Sequence, residues 1–386
     1  MQKKGFFITI EGPEGAGKST QLQKLAEYLE SLGATCIRTR EPGGTPLAEV
    51  LRNVVKEYNG DEKVFPETEL LLMEAARSQH MNVLVLPNLE DISGALNIVK
   101  FCDVAACAVM KHVNPSGAAM ARPGEDLKTV YMKARDADSR AAFGSVVALN
   151  VEVDVETAKE IMSTFVECVV APSFAPGVLE IFNDAETYKL NRHVRIIKCG
   201  DINSLPKYTG TVSARDNTIK VLADGSMIIA APLTTSLHGI EDLVPAEGEN
   251  TRCGHQVSEI EASEQRKRDI LFAWYVNLSV RSNGVVIVKD GQTLAVGTGE
   301  QDRVGAIEQA VEKFRQKYTG DATLDDAVMS SDGFFPFEDG LLVAAKAGIK
   351  AVISPAGSLR DADVIKCANE NKVALYHAPE RVFSHH

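Results

Sequence analysis

A lysine and a histidine stand side by side at Lys111-His112, directly after an apolar run at residues 105–110. The run is typical of a buried strand, and the Asn-Pro-Ser-Gly segment at residues 114–117 indicates a tight turn at its C-terminal end. In open α/β sheets, ligands bind at that end of the strands. A histidine exchanges protons near neutral pH, and a neighbouring ammonium stabilises a developing oxyanion. The pair therefore predicts an acid–base site, with a surface lysine beside a capping histidine as the alternative.

A glycine-rich segment near the N-terminus matches the phosphate-binding pattern G-x-x-x-x-G-K-S. A short apolar run at residues 6–10 precedes it, and an amphipathic helical pattern at residues 20–31 follows. The motif needs this strand–loop–helix order, because its glycines let backbone N–H groups face phosphates. Its lysine reaches the outer phosphates and its serine holds Mg²⁺. The candidate nucleotide-binding residues are Gly12, Gly15, Gly17, Lys18, Ser19 and Thr20.

Length and charge limit the classes of protein to consider. The chain has 386 residues, enough for two or three domains, and its net charge is −12. An acidic chain argues against nucleic acid or an anionic membrane as the main partner, although local cations still bind small anions. No apolar stretch is long enough to cross a bilayer, and the first residues do not form a signal peptide. We therefore expect a cytoplasmic protein with neither nucleic-acid nor membrane partners.

The seven cysteines are widely spaced and contain no C-x-x-C pair. Their odd number and their spacing favour a reducing compartment over a disulfide framework or a zinc site. Cys102 and Cys107 flank the predicted strand at residues 105–110, and we interpret both as packing thiols. No metal site is predicted from the cysteines.

Helical and strand-like patterns alternate along most of the chain, which is typical of an α/β fold. Further helices are predicted at residues 46–58, 67–80, 91–101, 125–135, 155–165 and 258–280. Further strands are predicted at residues 35–40, 145–149, 168–171, 194–198, 218–222 and 227–231. Ser258 is the predicted N-cap of the last helix, because Glu261 follows three residues later.

The first 82 residues resemble bacterial thymidylate kinase. The resemblance rests on the glycine-rich loop, on the Thr-Arg-Glu-Pro-Gly-Gly-Thr loop at residues 39–45, and on the helix that carries Arg77. It implies a nucleoside monophosphate site that includes Arg77, with ATP and Mg²⁺ at the loop; a solvated helix face is the alternative for Arg77. The Asp-Arg-Tyr segment and the arginine-bearing lid of that family do not follow. Because the lid excludes water during phosphoryl transfer, we expect weak nucleotide binding and no kinase turnover.

Residues 88–386 resemble AICAR transformylase, the formyltransferase half of the bifunctional purine-biosynthesis enzyme. The resemblance rests on motifs at residues 111–117, 142–145, 169–172, 282–283 with 288–292, 331–339, 355–361 and 381–385. It implies formyl transfer from 10-formyltetrahydrofolate, a folate co-substrate, to the 5-amino group of 5-aminoimidazole-4-carboxamide ribonucleotide (AICAR). It also implies a homodimer in which each site draws on both subunits.

The resemblance assigns catalytic roles to Lys111, His112 and Asn283. His112 is the proton acceptor, Lys111 is its charged neighbour, and Asn283 orients the formyl group. The chemistry needs such groups, because the amino group of AICAR is a poor nucleophile and the tetrahedral intermediate carries an oxyanion.

The resemblance also assigns ligand-binding residues. Phe334, Phe337 and Asp339 match the folate-side loop, where two aromatic rings beside a carboxylate suit a flat pterin. Simple core packing is the alternative for the two phenylalanines. Arg303, predicted at the start of a helix, matches an arginine at the nucleotide site, and a helix N-terminus with an arginine suits a phosphate, although the neighbouring Asp302 would oppose it. The remaining candidates are Arg381 and His385 near the ligands. A frayed tail is the alternative for His385.

The predicted fold is α/β: a partial P-loop α/β unit at residues 1–82, then two cytidine-deaminase-like α/β lobes at residues 88–386, the second from about residue 258. The family's leading substrate-binding stretch, Arg-Tyr-Gly-x-Asn-Pro-His-Gln, is absent from the sequence. Two alternatives to the formyltransferase therefore stay open. One is a P-loop phosphotransferase similar to dTMP kinase, and the other is a catalytically impaired fusion that only binds nucleotides.

Overall fold

The computed structural model describes residues 17–31, 46–57, 65–80, 86–192, 194–212, 218–221, 227–318 and 322–383. The chain divides into two compact units, Met1–Glu90 and Asp91–His386. The strands predicted at residues 6–10 and 35–40 lie outside the described residues. So do three of the predicted site residues, Gly12, Gly15 and His385.

The described part of the first unit is helical. Its helices are α1 (Lys18–Ser31), α2 (Pro46–Glu57) and α3 (Pro66–His80), and α4 (Leu86–Val99) continues into the second unit. α2 packs against α3. These helices confirm the predictions at residues 20–31, 46–58 and 67–80 with small differences at the ends.

The second unit is α/β. Its remaining helices are α5 (Leu127–Asp136), α6 (Val155–Met162), α7 (Val178–Asn183), α8 (Glu264–Asn277), α9 (Arg303–Lys317), α10 (Asp339–Ala347) and α11 (Asp361–Glu370). The strands of its first part are β1 (Ala106–Lys111), β2 (Asn114–Met120), β3 (Ser145–Leu149), β4 (Val166–Ala171), β5 (Arg195–Lys198), β6 (Thr218–Val221) and β7 (Met227–Ala230). The later strands are β8 (Val244–Pro245), β9 (Glu247–Asn250), β10 (Gly254–Val257), β11 (Val285–Lys289), β12 (Gln292–Gly297), β13 (Val328–Ser331), β14 (Ala351–Pro355) and β15 (Ala374–Ala378).

Within the described residues, one mixed sheet contains eleven strands in the order β5-β4-β3-β1-β2-β12-β11-β13-β14-β15-β8. β1 pairs antiparallel with β2 and β3, and β11 pairs antiparallel with β12 and β13. Two sets of parallel strands flank these pairs. β3, β4 and β5 are parallel within the first set, and β13, β14 and β15 are parallel within the second. β2 and β12 meet in the middle, where Ala119 pairs with Gln292. The two halves of the sheet therefore repeat one arrangement in opposite directions.

Each half begins with a helix that leads into a hairpin. α4 precedes β1 and β2, and α8 precedes β11 and β12. The same spacing along the chain separates Asp91 from Lys111 and Asp269 from Lys289. Helix–strand units then add the parallel strands, whose continuous buried runs are typical of strands covered on both faces. The chain thus builds the helix-and-hairpin arrangement twice.

Two boundaries predicted from the sequence are wrong. The helix predicted at residues 258–280 begins at Glu264, because Ser263 is its N-cap and accepts a hydrogen bond from the backbone N–H of Arg266 (3.4 Å). Ser258 instead accepts a hydrogen bond from the backbone N–H of Leu375 (3.0 Å). The Asn-Pro-Ser-Gly segment is not a turn but the start of β2, and the turn precedes it.

The described cysteines form no disulfide. Burial raises the pKa of the Cys102 thiol to about 12, and it also raises the pKa of Cys107. Thiols that stay protonated at neutral pH agree with the interpretation that both are packing groups. Among the helices of the described ranges, none is both long and apolar enough to cross a membrane.

Candidate active site

A strained hairpin turn presents the predicted catalytic pair. Lys111 pairs with Asn114 at the end of the hairpin, so that His112 and Val113 form a two-residue turn. Their φ angles are 55° and 60°. Positive φ at both positions is the geometry of a type I′ turn, which matches the twist of the strands. A residue with a Cβ loses about 1–2 kcal/mol in this conformation, and β-branched residues such as Val113 adopt it least often.

Asp91 of α4 stabilises this turn. Its carboxylate accepts hydrogen bonds from the backbone N–H groups of His112 (3.2 Å) and Val113 (2.5 Å). Asp91 is only 6% exposed, so these charge-assisted bonds form away from bulk water. They offset the strain of the left-handed turn.

Lys111 and His112 differ in their surroundings. The Lys111 ammonium donates to the carbonyl oxygen of Phe143 (2.5 Å), while the imidazole of His112 is exposed. Two of the motifs found in the sequence therefore meet here. β1 is antiparallel to both of its neighbours, but it runs in the same direction as β13, β14 and β15, so Lys111 and His112 lie at the edge where those parallel strands end. The pair lies beside the first residues of β3.

A cavity of about 150 Å³ opens beside Lys111 and His112. Two further lysines line it: Lys313 donates to the carbonyl oxygen of Val296 (2.8 Å), and Lys317 pairs with Asp138 (2.6 Å). Burial lowers the pKa of Lys313, and the charge of Lys317 lowers it further. With three ammonium groups to one carboxylate, the cavity is suited to an anionic ligand even though the chain is acidic.

Asn114 connects this hairpin to the second half of the sheet. Its side-chain oxygen accepts hydrogen bonds from the backbone N–H of Arg281 (3.0 Å) and the hydroxyl of Thr298 (2.9 Å). Asn283, shortly after Arg281, donates from its side-chain amide to the carbonyl oxygen of Glu300 (2.8 Å). The structure therefore holds the segment that carries Asn283 against the hairpin that carries the lysine and the histidine.

Asp332 is a buried carboxylate at the end of β13. It accepts hydrogen bonds from the backbone N–H of Gly284 (2.9 Å) and from the hydroxyl of Ser282, and it pairs with Arg303. Arg303 is 7% exposed, and its Nε has no hydrogen-bond partner among the described residues. The sequence predicts Arg303 at a phosphate, but its guanidinium lies in a buried ion pair that the sequence did not predict. The pair ties the segment of Asn283 to the predicted folate-side loop.

Arg303 is the first residue of α9, as expected, and Asp302 is the N-cap of that helix. The carboxylate of Asp302 accepts a hydrogen bond from the backbone N–H of Gly305 (2.7 Å). A side chain of the protein itself therefore stabilises this helix N-terminus, where the sequence predicts a phosphate.

Two arginines lie against the predicted folate-side loop. The guanidinium of Arg381 is 4.7 Å from the ring centre of Phe334, and that of Arg360 is 5.5 Å from Phe337. Phe337 is 53% exposed, whereas the neighbouring Phe335 is 2% exposed and packs in the core. Core packing therefore explains Phe335 but not Phe337. Arginine over an aromatic ring forms a favourable cation–π contact. The guanidinium of Arg360 also pairs with Glu338 (3.1 Å) and Asp363 (2.7 Å).

The folate-side loop belongs to the edge at which three parallel strands end. β13, β14 and β15 run parallel, and the loops that carry Phe334, Gly357 and Arg381 follow them. A Cβ added to Gly357 would lie 3.2 Å from the guanidinium of Arg381. Asp339, the first residue of α10, is exposed at the end of the same loop as Phe334. Loops at this edge of an α/β sheet are the usual place for ligands.

The predicted nucleotide-binding residues belong to the first unit. Lys18, Ser19 and Thr20 form the first turn of α1, directly after Gly17 with its φ of 78°. Arg77 lies in α3. The helix that follows the glycine-rich loop therefore begins where the motif requires it.

Reasoning from the sequence missed several residues that shape the site: Asp91, Asp332 and the cavity lysines Lys313 and Lys317. Asp332 lies inside a recognised motif, but its partner is distant in the sequence. A signal for Asp91 was present, because its spacing to the catalytic pair recurs before the Asp-Gly hairpin at residues 290–291.

Two family models match the chain. The model described as AICARFT/IMPCHase bienzyme matches residues 66–313, and the thymidylate kinase model matches residues 10–95. Among solved structures, a dCMP deaminase from the cyanophage S-TIM5 in apo form covers 30% of this chain and 98% of its own. Its identity of 19% and TM-score of 0.21 are too low to support any argument.

Curated relatives agree with the first of these models. The bifunctional purine biosynthesis protein PurH of Nostoc punctiforme is 37% identical over 299 residues, which cover 77% of this chain and 51% of the relative. The PurH protein of Magnetococcus marinus is 37% identical over 326 residues, which cover 83% and 56%. The chain thus spans about half the length of these relatives. On the evidence of the family model and these identities, the chain belongs to the AICARFT/IMPCHase bienzyme family.

Proposed function

We propose that this protein transfers the formyl group of 10-formyltetrahydrofolate to the 5-amino group of AICAR. Family membership supports the proposal, and one structural observation carries it. Asn114 of the hairpin accepts a hydrogen bond from the backbone N–H of Arg281 (3.0 Å). This contact joins the loop of the proposed base, His112, to the loop of the proposed formyl-orienting residue, Asn283.

In the proposed reaction, the amino nitrogen of AICAR attacks the formyl carbon and loses a proton to His112. The formyl oxygen becomes an oxyanion, which the Lys111 ammonium stabilises while Asn283 orients the group. The bond between the formyl carbon and N10 of the folate then breaks, N10 takes up a proton, and tetrahydrofolate leaves. A general base contributes about 10²–10⁴-fold to such a rate, and one oxyanion donor about 10²–10³-fold.

The lysine-lined cavity and the folate-side loop divide the ligands between them. The lysine-lined cavity beside His112 takes an anionic group of a substrate. Phe334 and Phe337, each with an arginine over its ring, take the flat pterin of the folate, with Asp339 as an acceptor for the pterin edge. Arg303 acts by holding Asp332 and the loop in place.

The proposal extends to architecture and assembly. The repeated helix-and-hairpin arrangement supports two cytidine-deaminase-like lobes that divide near residue 258. A homodimer in a cytoplasmic setting fits the family resemblance, with AICAR and the folate as the small-molecule partners. Measurement of the molar mass in solution tests the dimer.

Formyl transfer is tested directly with the purified chain, AICAR and 10-formyltetrahydrofolate. We expect tetrahydrofolate to form only when AICAR is present, with formylated AICAR as the second product. Lys18→Ala should leave the rate unchanged, because Lys18 has no role in this chemistry. Absence of both products at saturating concentrations of the two substrates would reject the proposed function.

Nucleotide binding at the glycine-rich loop is a second candidate function. The thymidylate kinase model matches residues 10–95, and Lys18 begins α1, where backbone N–H groups bind phosphates. We expect ATP with Mg²⁺ to bind weakly, without phosphorylation of dTMP. Calorimetric titration tests the binding, with Lys18→Ala as the control, and a coupled assay tests the kinase activity.

A further inference from the structure

We propose that Asp91 is the positioning residue for His112: it fixes the strained hairpin turn and so presents the imidazole to the substrate. The kinetic part of this inference rests on the proposed formyl transfer. In the hydrogen bonds that define this role, Asp91 accepts from the backbone of the turn. It therefore acts through His112 and not on the reacting atoms.

The hydrogen bonds of the turn show how Asp91 holds it. Two successive N–H groups, those of His112 and Val113, donate to the one buried carboxylate of Asp91. The carbonyl oxygen of His112 accepts from the side-chain amide of Asn114 (3.4 Å). Neither turn residue is a glycine, so the local sequence does not favour positive φ by itself. The hydrogen bonds to Asp91 therefore stabilise a left-handed turn that the residues His112 and Val113 do not favour by themselves.

The second hairpin shows the same device without a histidine. Asp269 of α8, 3% exposed, accepts hydrogen bonds from the backbone N–H groups of Asp290 (2.9 Å) and Gly291 (2.9 Å). The φ angles of this turn are 54° and 72°. The structural part of the role is therefore common to both aspartates. What distinguishes Asp91 is the residue that it holds in place.

Asp91→Asn is the sharpest substitution, because it keeps the size of the side chain. Asparagine offers one oxygen, and its NH₂ group faces the second N–H, so that one of the two hydrogen bonds is lost. The turn then relaxes and the imidazole moves. A displacement of about 1 Å at a catalytic group lowers a rate by about 10²-fold.

The experiment compares Asp91→Asn with Asp269→Asn in the full chain. We expect Asp91→Asn to lower kcat by about 10- to 10²-fold with little change in KM for AICAR. Asp269→Asn should lower the melting temperature to a similar extent but keep kcat near that of the unmodified chain. Equal losses of kcat in the two variants, or an unchanged kcat in Asp91→Asn, would overturn the proposal.

A spectroscopic measurement separates this proposal from the proposed function. The imidazole signal of His112 is assigned in NMR spectra by its absence in His112→Gln. We expect Asp91→Asn to shift or broaden that signal and Asp269→Asn to leave it unchanged. An unshifted signal in Asp91→Asn overturns the role of Asp91 even if formyl transfer is observed. A shifted signal supports it even if the chain transfers no formyl group.

Val113→Gly keeps the test usable if Asp91→Asn alone does not fold. Glycine adopts positive φ without strain, so the variant that combines it with Asp91→Asn should fold more stably than Asp91→Asn alone. Its His112 signal should differ from that of Val113→Gly alone. Identical signals in these two variants would contradict a positioning role for Asp91.

Discussion

The two halves of the sheet contain the same hairpin but different turn residues. Asp290 and Gly291 form the second turn, with a glycine at a left-handed position, which is the usual solution. The first turn has a histidine and a β-branched valine, His112 and Val113, at a cost of about 1–2 kcal/mol per residue. Backbone strain of this kind collects at functional sites. The difference agrees with the proposal that the first hairpin carries the chemistry, whereas the second serves the fold.

The two halves also differ in the side chain that follows two matching strands, β3 and β13. Asn150, after β3, accepts a hydrogen bond from the backbone N–H of Ala106 (2.7 Å). Asp332, after β13, accepts the equivalent bond from Gly284 (2.9 Å) and also pairs with Arg303. The first half uses a neutral amide at this position, and the second uses a charge. The two halves therefore differ at this strand end, where only the second half has a charged side chain.

The largest expected effect is on stability, from Asp332→Asn, which gives the second half the residue of the first. Asparagine keeps an acceptor for the N–H of Gly284 but leaves the buried Arg303 without its counter-ion. Breaking such a pair costs about 3–5 kcal/mol of unfolding free energy. Urea denaturation of the second unit in the full chain measures it.

Arg303→Met in the Asp332→Asn background is the control for that prediction. Removing both charges should recover most of the loss, because no unpaired cation then stays buried. A loss below about 1 kcal/mol in Asp332→Asn alone, the range of exposed ion pairs, would contradict a buried pair.

The next largest expected effect is on the pH dependence of the unfolding free energy, and it comes from Lys100. Lys100 follows α4 at the position where Leu278 follows α8. Lys100 is 3% exposed, and its ammonium donates to the side chain of Asn97 (3.0 Å) and to the carbonyl oxygen of Pro206. Burial lowers the pKa of Lys100 to about 8, and the charge of Lys207 adds to the effect. In the unfolded chain a lysine titrates near its ordinary pKa of about 10.4.

Between those two pKa values the unfolded chain binds more protons than the folded one. The unfolding free energy therefore rises with pH from about 8 to about 10.4, and this contribution is absent below pH 8. Lys100→Met, which imitates Leu278, should lack this rise of about 2–3 kcal/mol. Denaturation of both proteins at pH 8 and pH 10 measures it; parallel curves would contradict a buried lysine.

The smallest effect comes from exchanging turn residues between the hairpins. Val113→Gly should raise the unfolding free energy by about 0.5–1 kcal/mol, because relief of strain exceeds the entropy cost of glycine. Gly291→Val should lower it, since a Cβ there would lie 3.0 Å from the carbonyl oxygen of Met120 at a φ of 72°. Thermal unfolding measures both variants. A destabilising Val113→Gly would show that the first turn is not strained.

The same comparison explains what the sequence could predict. The strand at residues 145–149 and the helices of the first unit follow from local patterns, and the structure confirms them. The first turn was misplaced because His-Val is not a turn sequence, and Asn-Pro-Ser-Gly beside it is. The carboxylate of Asp91, which is distant in the sequence, accepts hydrogen bonds from both N–H groups of His-Val, and no local pattern contains that contact.

The sequence also could not predict which charged side chains pair with one another. An arginine at a helix start predicts a phosphate, and Arg303 does begin a helix. Its partner Asp332 lies on a later strand, so the buried ion pair depends on the order of strands in the sheet. The motifs located the residues near the site, but only the fold determined which of them are already paired.

The most direct test of the account is the kcat of formyl transfer in His112→Ala beside Asp290→Asn, its counterpart in the second hairpin. We expect His112→Ala to lower kcat by about 10²-fold or more and Asp290→Asn to keep a kcat close to that of the unmodified chain. An unchanged kcat in His112→Ala, or an equal loss in both variants, would contradict it.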